Sequence, residues 1–225
     1  VNDNKVWVLT DVPWIRSSAI EYTNQDLLHI SRENIDWVTV AGPNDFYSLT
    51  SDSNGAVVKL KELPAGKRQK DSECTQVLTA ISNLRFDDVM SEDKAKDLVF
   101  DRKYNLMMKD STLFNLEIAK KDSDTFVKCR VEFTDKTEVT KEQGVESEEA
   151  LKKKEAKLLA RDKANKLAQT TKGWVYKIPS WIADNMTKPM SELIEDIPVE
   201  KPADANNIND VNDANEPNAP HESND

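Results

Sequence analysis

Three runs between Tyr104 and Phe133 alternate apolar and polar side chains. Tyr104, Leu106 and Met108 form the first. Asp110-Ser111-Thr112 turns the chain, and Phe114, Leu116 and Ile118 form the second. Asp122-Ser123-Asp124 turns it again before Val127, Cys129, Val131 and Phe133, with Lys128, Arg130 and Glu132 pointing the other way. A period of two is the pleat of a strand with one buried face. Short turns between such runs reverse the chain, so the three strands form an antiparallel meander.

An earlier stretch repeats this pattern with different residues. Asn34–Ala41 reads as a strand, Gly42-Pro43-Asn44-Asp45 as a turn, and Phe46–Thr50 as the strand that pairs back. Asn54-Gly55 is a hairpin signal, and Ala56–Leu60 gives a third strand. Leu27, Leu28 and Ile30 precede Ser31, which suits the cap of one helical turn. Lys5–Thr10 also has a strand's composition.

A helix follows each meander. Over Asp71–Leu84, the apolar residues Cys74, Val77, Leu78, Ile81 and Leu84 keep a single stripe, with Asp71 or Ser72 as cap. Ser147–Lys172 is a longer helix, capped by Ser147 and ended by Gly173, with a thin alanine-rich apolar side. Acids interleave with Lys152-Lys153-Lys154, which makes that cluster a solvated face rather than a phosphate site. The order of three strands then a helix, twice, reads as a structural repeat of pattern.

The fold class is therefore α+β, antiparallel meanders covered by helices. Residues 1–101 make the first unit and residues 102–197 the second. Gly173–Asp196 closes the second unit as a strand, Trp174 to Ile178, that runs into a helix. Trp174, Tyr176 and Ile178 share one face of that strand, with Trp174 expected in the core. Ile182, Met186, Met190, Leu193 and Ile197 hold one helical phase, and Pro189 predicts a break at Thr187–Lys188.

Residues 198–225 hold seven Asn, four Pro and no aromatic, which predicts disorder. Seven carboxylates and one lysine give that tail a net charge of −6, so residues 1–197 carry about −4 of the total −10. Neither part has the basic footprint of a general nucleic-acid binder. No apolar run reaches the ~18 residues of a membrane span. The chain begins at Val1 and reads as a fragment of a longer protein, which leaves room for an anchor or signal upstream.

Candidate chemistry is sparse. His29 is the only histidine outside the tail, and its position between Leu28 and Ile30 turns it outward. Cys74 and Cys129 fall on inward faces and read as small buried hydrophobes. Two cysteines and one histidine on separate elements do not make a zinc site, and the five glycines form no phosphate loop. Asp87 and Asp88 are adjacent acids, for which a carboxylate hydrolase is one reading. Trp7, Trp14, Trp37, Trp174 and Trp181 are five stacking surfaces, which raises a small-ligand or saccharide-binding reading. No catalytic, cofactor or metal-binding residue is assigned.

Several stretches carry a resemblance. GWVYKIPSWIADNMTKPMSELIED is similar to the closing strand and helix of the domain of unknown function 4340 family, and AKLLARDKANKLAQTTKGW resembles the helix that feeds it. DLLHISRENIDWVTV and LTAISNLRFDDVM resemble earlier segments of the same family. The resemblance covers roughly residues 5–196 and rests on the order of the segments, since none is catalytic. It implies a non-enzymatic accessory or binding module on the periplasmic, extracytoplasmic side of a bacterial inner membrane. The implied protein partners are components of ABC-type transport systems, including those linked to gliding motility.

Overall fold

A computed structural model describes residues 18–140 and 146–198. The strand expected at Lys5–Thr10, the side chains of Trp7 and Trp14, and the tail from Val199 lie outside the described residues. The fold is α+β: among the described residues, twelve mostly antiparallel strands and four α-helices.

In chain order, β1 (Asp26–His29) leads through a 3-10 turn to β2 (Ile35–Ala41), β3 (Phe46–Ser51) and β4 (Val58–Leu60). β5 (Lys67–Gln69), α1 (Asp71–Leu78), β6 (Asn83–Arg85) and β7 (Asp88–Ser91) follow. The second meander is β8 (Arg102–Met108), β9 (Thr112–Lys121) and β10 (Asp124–Phe133), and then come α2 (Glu148–Thr171) and β11 (Trp174–Ile178). α3 (Ser180–Met186), α4 (Met190–Leu193) and β12 (Ile194–Asp196) close the described chain.

The two meanders form one sheet of eight strands, ordered β4-β3-β2-β8-β9-β10-β11-β7. They meet back to back where β2 pairs with β8 from Ile35↔Met108 to Ala41↔Lys103, with one bulge between Ile35 and Trp37. The small pairs β1-β6 and β12-β5 lie outside this sheet. β11 joins as the further partner of β10, and β7 pairs on its far side.

Pleating gives the sheet two unlike faces. Val38, Val40, Tyr47, Leu49, Tyr104, Leu106, Leu116, Ile118, Val127 and Cys129 are all buried on one face. One continuous apolar cluster joins them to Val77 and Leu78 of α1, Ala164 of α2, Ile182 and Met186 of α3, and Leu193 of α4. The opposite face carries Ser48, Thr39, Asn105, Asn115 and Arg130 as one row across five strands. Asn105 Nδ2 donates to Thr39 Oγ1 at 3.1 Å within that row. An antiparallel sheet can leave one face to water in this way. The exception is a satellite cluster of Ala95, Phe126 and Val175, on which Met90, Leu98 and Phe100 pack.

The first helix is shorter than its apolar stripe. α1 ends at Leu78, and Thr79 Oγ1 bonds back to Thr75 O at 2.8 Å. Ser82 O then accepts from Ile30 N at 2.8 Å as the chain turns to pair with β1. Ile81 and Leu84 are buried all the same, reached from a turn and from β6 rather than from a helix. No side chain caps the start of α1, whose N-cap is Lys70. In α2, Ser147 Oγ accepts from Ala150 N at 3.2 Å, and Glu148–Lys152 and Glu149–Lys153 pair at 2.6 and 2.7 Å.

The break before Pro189 is anchored on two sides. Tyr47 Oη donates to Lys188 O at 2.7 Å, and the Lys188 ammonium bonds Glu73 Oε2 at 2.5 Å and Gln76 Oε1 at 3.1 Å. Ile194–Asp196 is a strand rather than the end of the helix, so Ile197 leaves the apolar stripe and is exposed. Gly55, at φ +72, must be glycine: an added Cβ would meet Glu33 Cα at 2.9 Å.

The meander junction and α1 are held by one buried hydroxyl. Tyr104 Oη donates to Val77 O at 2.7 Å and reaches Leu78 O at 3.2 Å, which serves the last carbonyls of α1. Tyr104→Phe leaves those carbonyls without this donor and is expected to cost about 1–3 kcal/mol in chemical denaturation. Asp135 ties the chain after β10 to α2 through Lys157 at 2.8 Å, and that bond, together with those donated by the Thr137 hydroxyl and N–H, draws its carboxyl from 3.8 down to about 2. A lowered carboxyl stabilises the fold above its unfolded value and loses that contribution as pH falls through its folded value. The stability difference between the native chain and Asp135→Asn should therefore be full above about pH 4 and vanish toward pH 2, as read by denaturation midpoints.

Candidate functional site

Two strands of unequal length create the most distinctive surface feature. β10 is ten residues long and pairs with β9 along its whole length, from Asp124↔Lys121 to Phe133↔Thr112. β11 has five residues, and its ladder with β10 covers only Thr125↔Ile178 to Val127↔Tyr176. Beyond Val127, that side of β10 has no ladder partner among the described strands. The result is a notch inside the sheet, above the start of β11.

The chain enters the notch sharply. α2 ends at Thr171, Gly173 takes φ +81, and β11 starts at Trp174. Trp174 lies on the same face as Tyr176 and Ile178, as the alternation predicts. It is nevertheless 45% exposed, because β10 continues past it without another strand beside it. The expectation of a core indole is corrected here: Val175, Tyr176 and Ile178 are the buried members of the strand.

A cavity of about 370 Å³ fills the notch. Cys129, Val131, Ala168, Thr171 and Trp174 form its walls, and Glu92, Lys128, Arg130 and Lys172 stand around it. Lys128 is engaged: its Nζ bonds Glu92 Oε1 at 2.6 Å and lies 4.4 Å over the Phe100 ring. That bond holds the Glu92 carboxyl below its usual range. Arg130 faces Glu117 at 3.8 Å with its side chain 66% exposed, and Lys172 is exposed. The cavity's one lining acid is thus occupied by Lys128, and Arg130 stands near Glu117, while Lys172 is exposed.

The other residues singled out by the sequence are dispersed. Trp181 is 64% exposed on α3, beside a shallow cavity that Arg85 and Asp87 also line. Trp37 is half-buried on the open sheet face, between Thr50 and Met107. Asp87 and Asp88 are both exposed, and Asp88 Oδ1 accepts from Val89 N at 2.8 Å. His29 points outward, with Nδ1 2.7 Å from Asn83 Oδ1. Cys74 and Cys129 are free and buried, and burial pushes their thiols up to about 11 and about 12. An apolar groove of about 330 Å³ runs between β1 and α2, with Leu27, Ile30, Phe114 and Leu167 among its walls.

Among the described residues, no cluster of three His, Cys, Asp or Glu side chains gathers as a metal site. No described helix is long and apolar enough to cross a membrane. The notch escaped the sequence reading, although one signal for it was present: Val127–Phe133 alternates well beyond the reach of the five-residue WVYKI partner.

The chain matches no protein-family model, no curated protein and no solved structure.

The exposure of Trp174 is directly measurable. Trp174→Ala should cost about 1 kcal/mol or less, whereas Tyr176→Ala, which empties a buried site beside Phe86, should cost about 3–5 kcal/mol. Urea unfolding of the two variants compares them.

Proposed function

We propose that this chain is a non-enzymatic binding module, displayed on the extracytoplasmic face of a bacterial inner membrane as an accessory of an ABC-type transport system. The observation that carries the binding role is the notch at Trp174. It combines a concave wall, an exposed indole and outward cations on a rigid sheet. Exposed aromatics and arginines beside a concavity are the usual anchors of protein interfaces. The assignment to a transport system rests on the resemblance of Gly173–Asp196 and its feeding helix to the domain of unknown function 4340 family.

A saccharide reading competes with it on one specific observation. Trp174 and Trp181 are both exposed, and each borders a cavity with polar side chains. An indole face beside hydrogen-bonding groups suits a sugar ring.

Two experiments separate the readings. A photo-crosslinking residue at position 174, in the chain expressed in its native envelope, should capture a transport component. Capture of envelope proteins unrelated to transport, with no transport component among them, would sink the transporter assignment. Titration of soluble glycans against the chain should leave Trp fluorescence unchanged. Quenching that disappears in Trp174→Phe would move the site to the saccharide reading.

A further inference from the structure

The groove between β1 and α2 is walled by core residues that are only partly covered. Leu27 of β1, Ile30 just past it, Met108 at the end of β8, Phe114 of β9 and Leu167 of α2 line its space of about 330 Å³. Ile30 and Phe114 belong to the main core cluster, and Leu27, Met108 and Leu167 pack against that cluster while remaining half-buried. α2 covers this end of the sheet thinly: only Ala164 and Thr171 of its 24 residues are buried. A helix that meets the sheet through alanine and threonine leaves space beside it that larger side chains could fill.

The groove's charges do not select an ionic occupant. Asp110 and Lys163 line it, one acid and one base, and His29 is the remaining titratable side chain. Asp110 Oδ1 already accepts from Thr112 N at 2.9 Å. An uncharged, apolar occupant suits these walls, because it removes apolar surface from water on both sides of the contact.

The chain itself contains such a segment. Val6-Trp7-Val8-Leu9 is an unbroken apolar run, and Val12, Trp14 and Ile15 follow it closely. Strict alternation can leave one side of a strand to water, whereas a continuous run calls for apolar cover on both sides. The other residues outside the described structure offer nothing comparable. Residues 141–145 read KEQGV, and residues 199–225 hold no aromatic and only scattered Val199, Ile208, Val211 and alanines.

Connectivity favours the same occupant. Ile20 and Leu27 both pack against the main core cluster, so the described chain begins on the side of the sheet where the groove lies. Residues 11–25 join the run to β1, and fifteen residues reach at most about 50 Å when extended. That length lets the chain turn back along β1. We propose that the groove is the docking site of this chain's own N-terminal segment, with Val6–Leu9 seated between β1 and α2. The occupancy is separate from the notch at Trp174 and does not depend on the binding role given to it.

Hydroxyl-radical labelling, read by mass spectrometry, tests the contact side chain by side chain. Leu27, Met108 and Leu167 should be labelled severalfold less in the full chain than in a chain lacking residues 1–17. Met107, next to Met108 but on the opposite face of the sheet, should be labelled equally in both. A synthetic peptide of residues 1–17, added to the shortened chain, should restore the protection. Val6→Asp with Val8→Asp in the full chain should raise labelling of the groove residues to the level of the shortened chain, and this variant keeps the test valid should the shortened chain fail to fold.

Equal labelling of Leu27, Met108 and Leu167 in the full chain and the Val6→Asp, Val8→Asp variant would overturn the proposal. So would protection that grows with protein concentration, which marks a second copy as the occupant. Protection that appears at the exposed Leu151 and Leu159 of α2, with the groove residues unchanged, would place the segment elsewhere and overturn it as well.

Discussion

The β2–β8 ladder carries the architecture. Each three-stranded meander alone would expose two open edges and one apolar face of modest width. Pairing β2 with β8 removes one edge from each and places Val38, Val40, Tyr104 and Leu106 side by side at the middle of the sheet. A single broad apolar face results, and α1, α2, α3 and α4 all contribute to the one cluster that covers it. Tyr104 stands where this matters most. It lies in the joining strand, and its hydroxyl serves the carbonyls at the end of α1.

Building one sheet from strands of three to ten residues leaves mismatched ends. The protein resolves them differently at each place. Gln69 stands in for a strand beside β4, Lys109 gathers the carbonyls of Asp52 and Ser53 at the β3–β4 hairpin, and β12 pairs with β5 away from the main sheet. β10 outruns β11 with no such device among the described residues. The same mismatch exposes Trp174, so an exposed indole of the closing stretch and the open backbone edge are two consequences of one short strand.

Much of this was legible in the residues and part was not. Alternation in β8, β9 and β10 named both the strands and their buried faces, because a period of two has few other causes. Pro189 announced the break between α3 and α4, since a ring without an N–H interrupts a helix. The stripe over Asp71–Leu84 misled about the length of α1. Ile81 and Leu84 are buried as the stripe requires, but α1 ends at Leu78, and Ile30 N, just past β1, takes the carbonyl of Ser82 where the chain turns back to pair as β6. Trp174 misled in the opposite way: its face was right and its burial wrong. Periodicity reports direction alone, and burial depends on whether a neighbouring element extends far enough to cover the side chain.

Local pattern by itself determined the elements, their faces, the turns and the α+β class, because strand pleat, helical pitch and proline chemistry act over a few residues. Only the tertiary structure decided that the meanders join through β2 and β8, that Gln69 closes one edge, and that β10 projects past β11. Those outcomes depend on pairings between residues tens of positions apart, such as Val38 with Leu106 and Val127 with Tyr176. The relative lengths and positions of paired strands are settled by the common core they cover, and no single stretch of the chain contains that information.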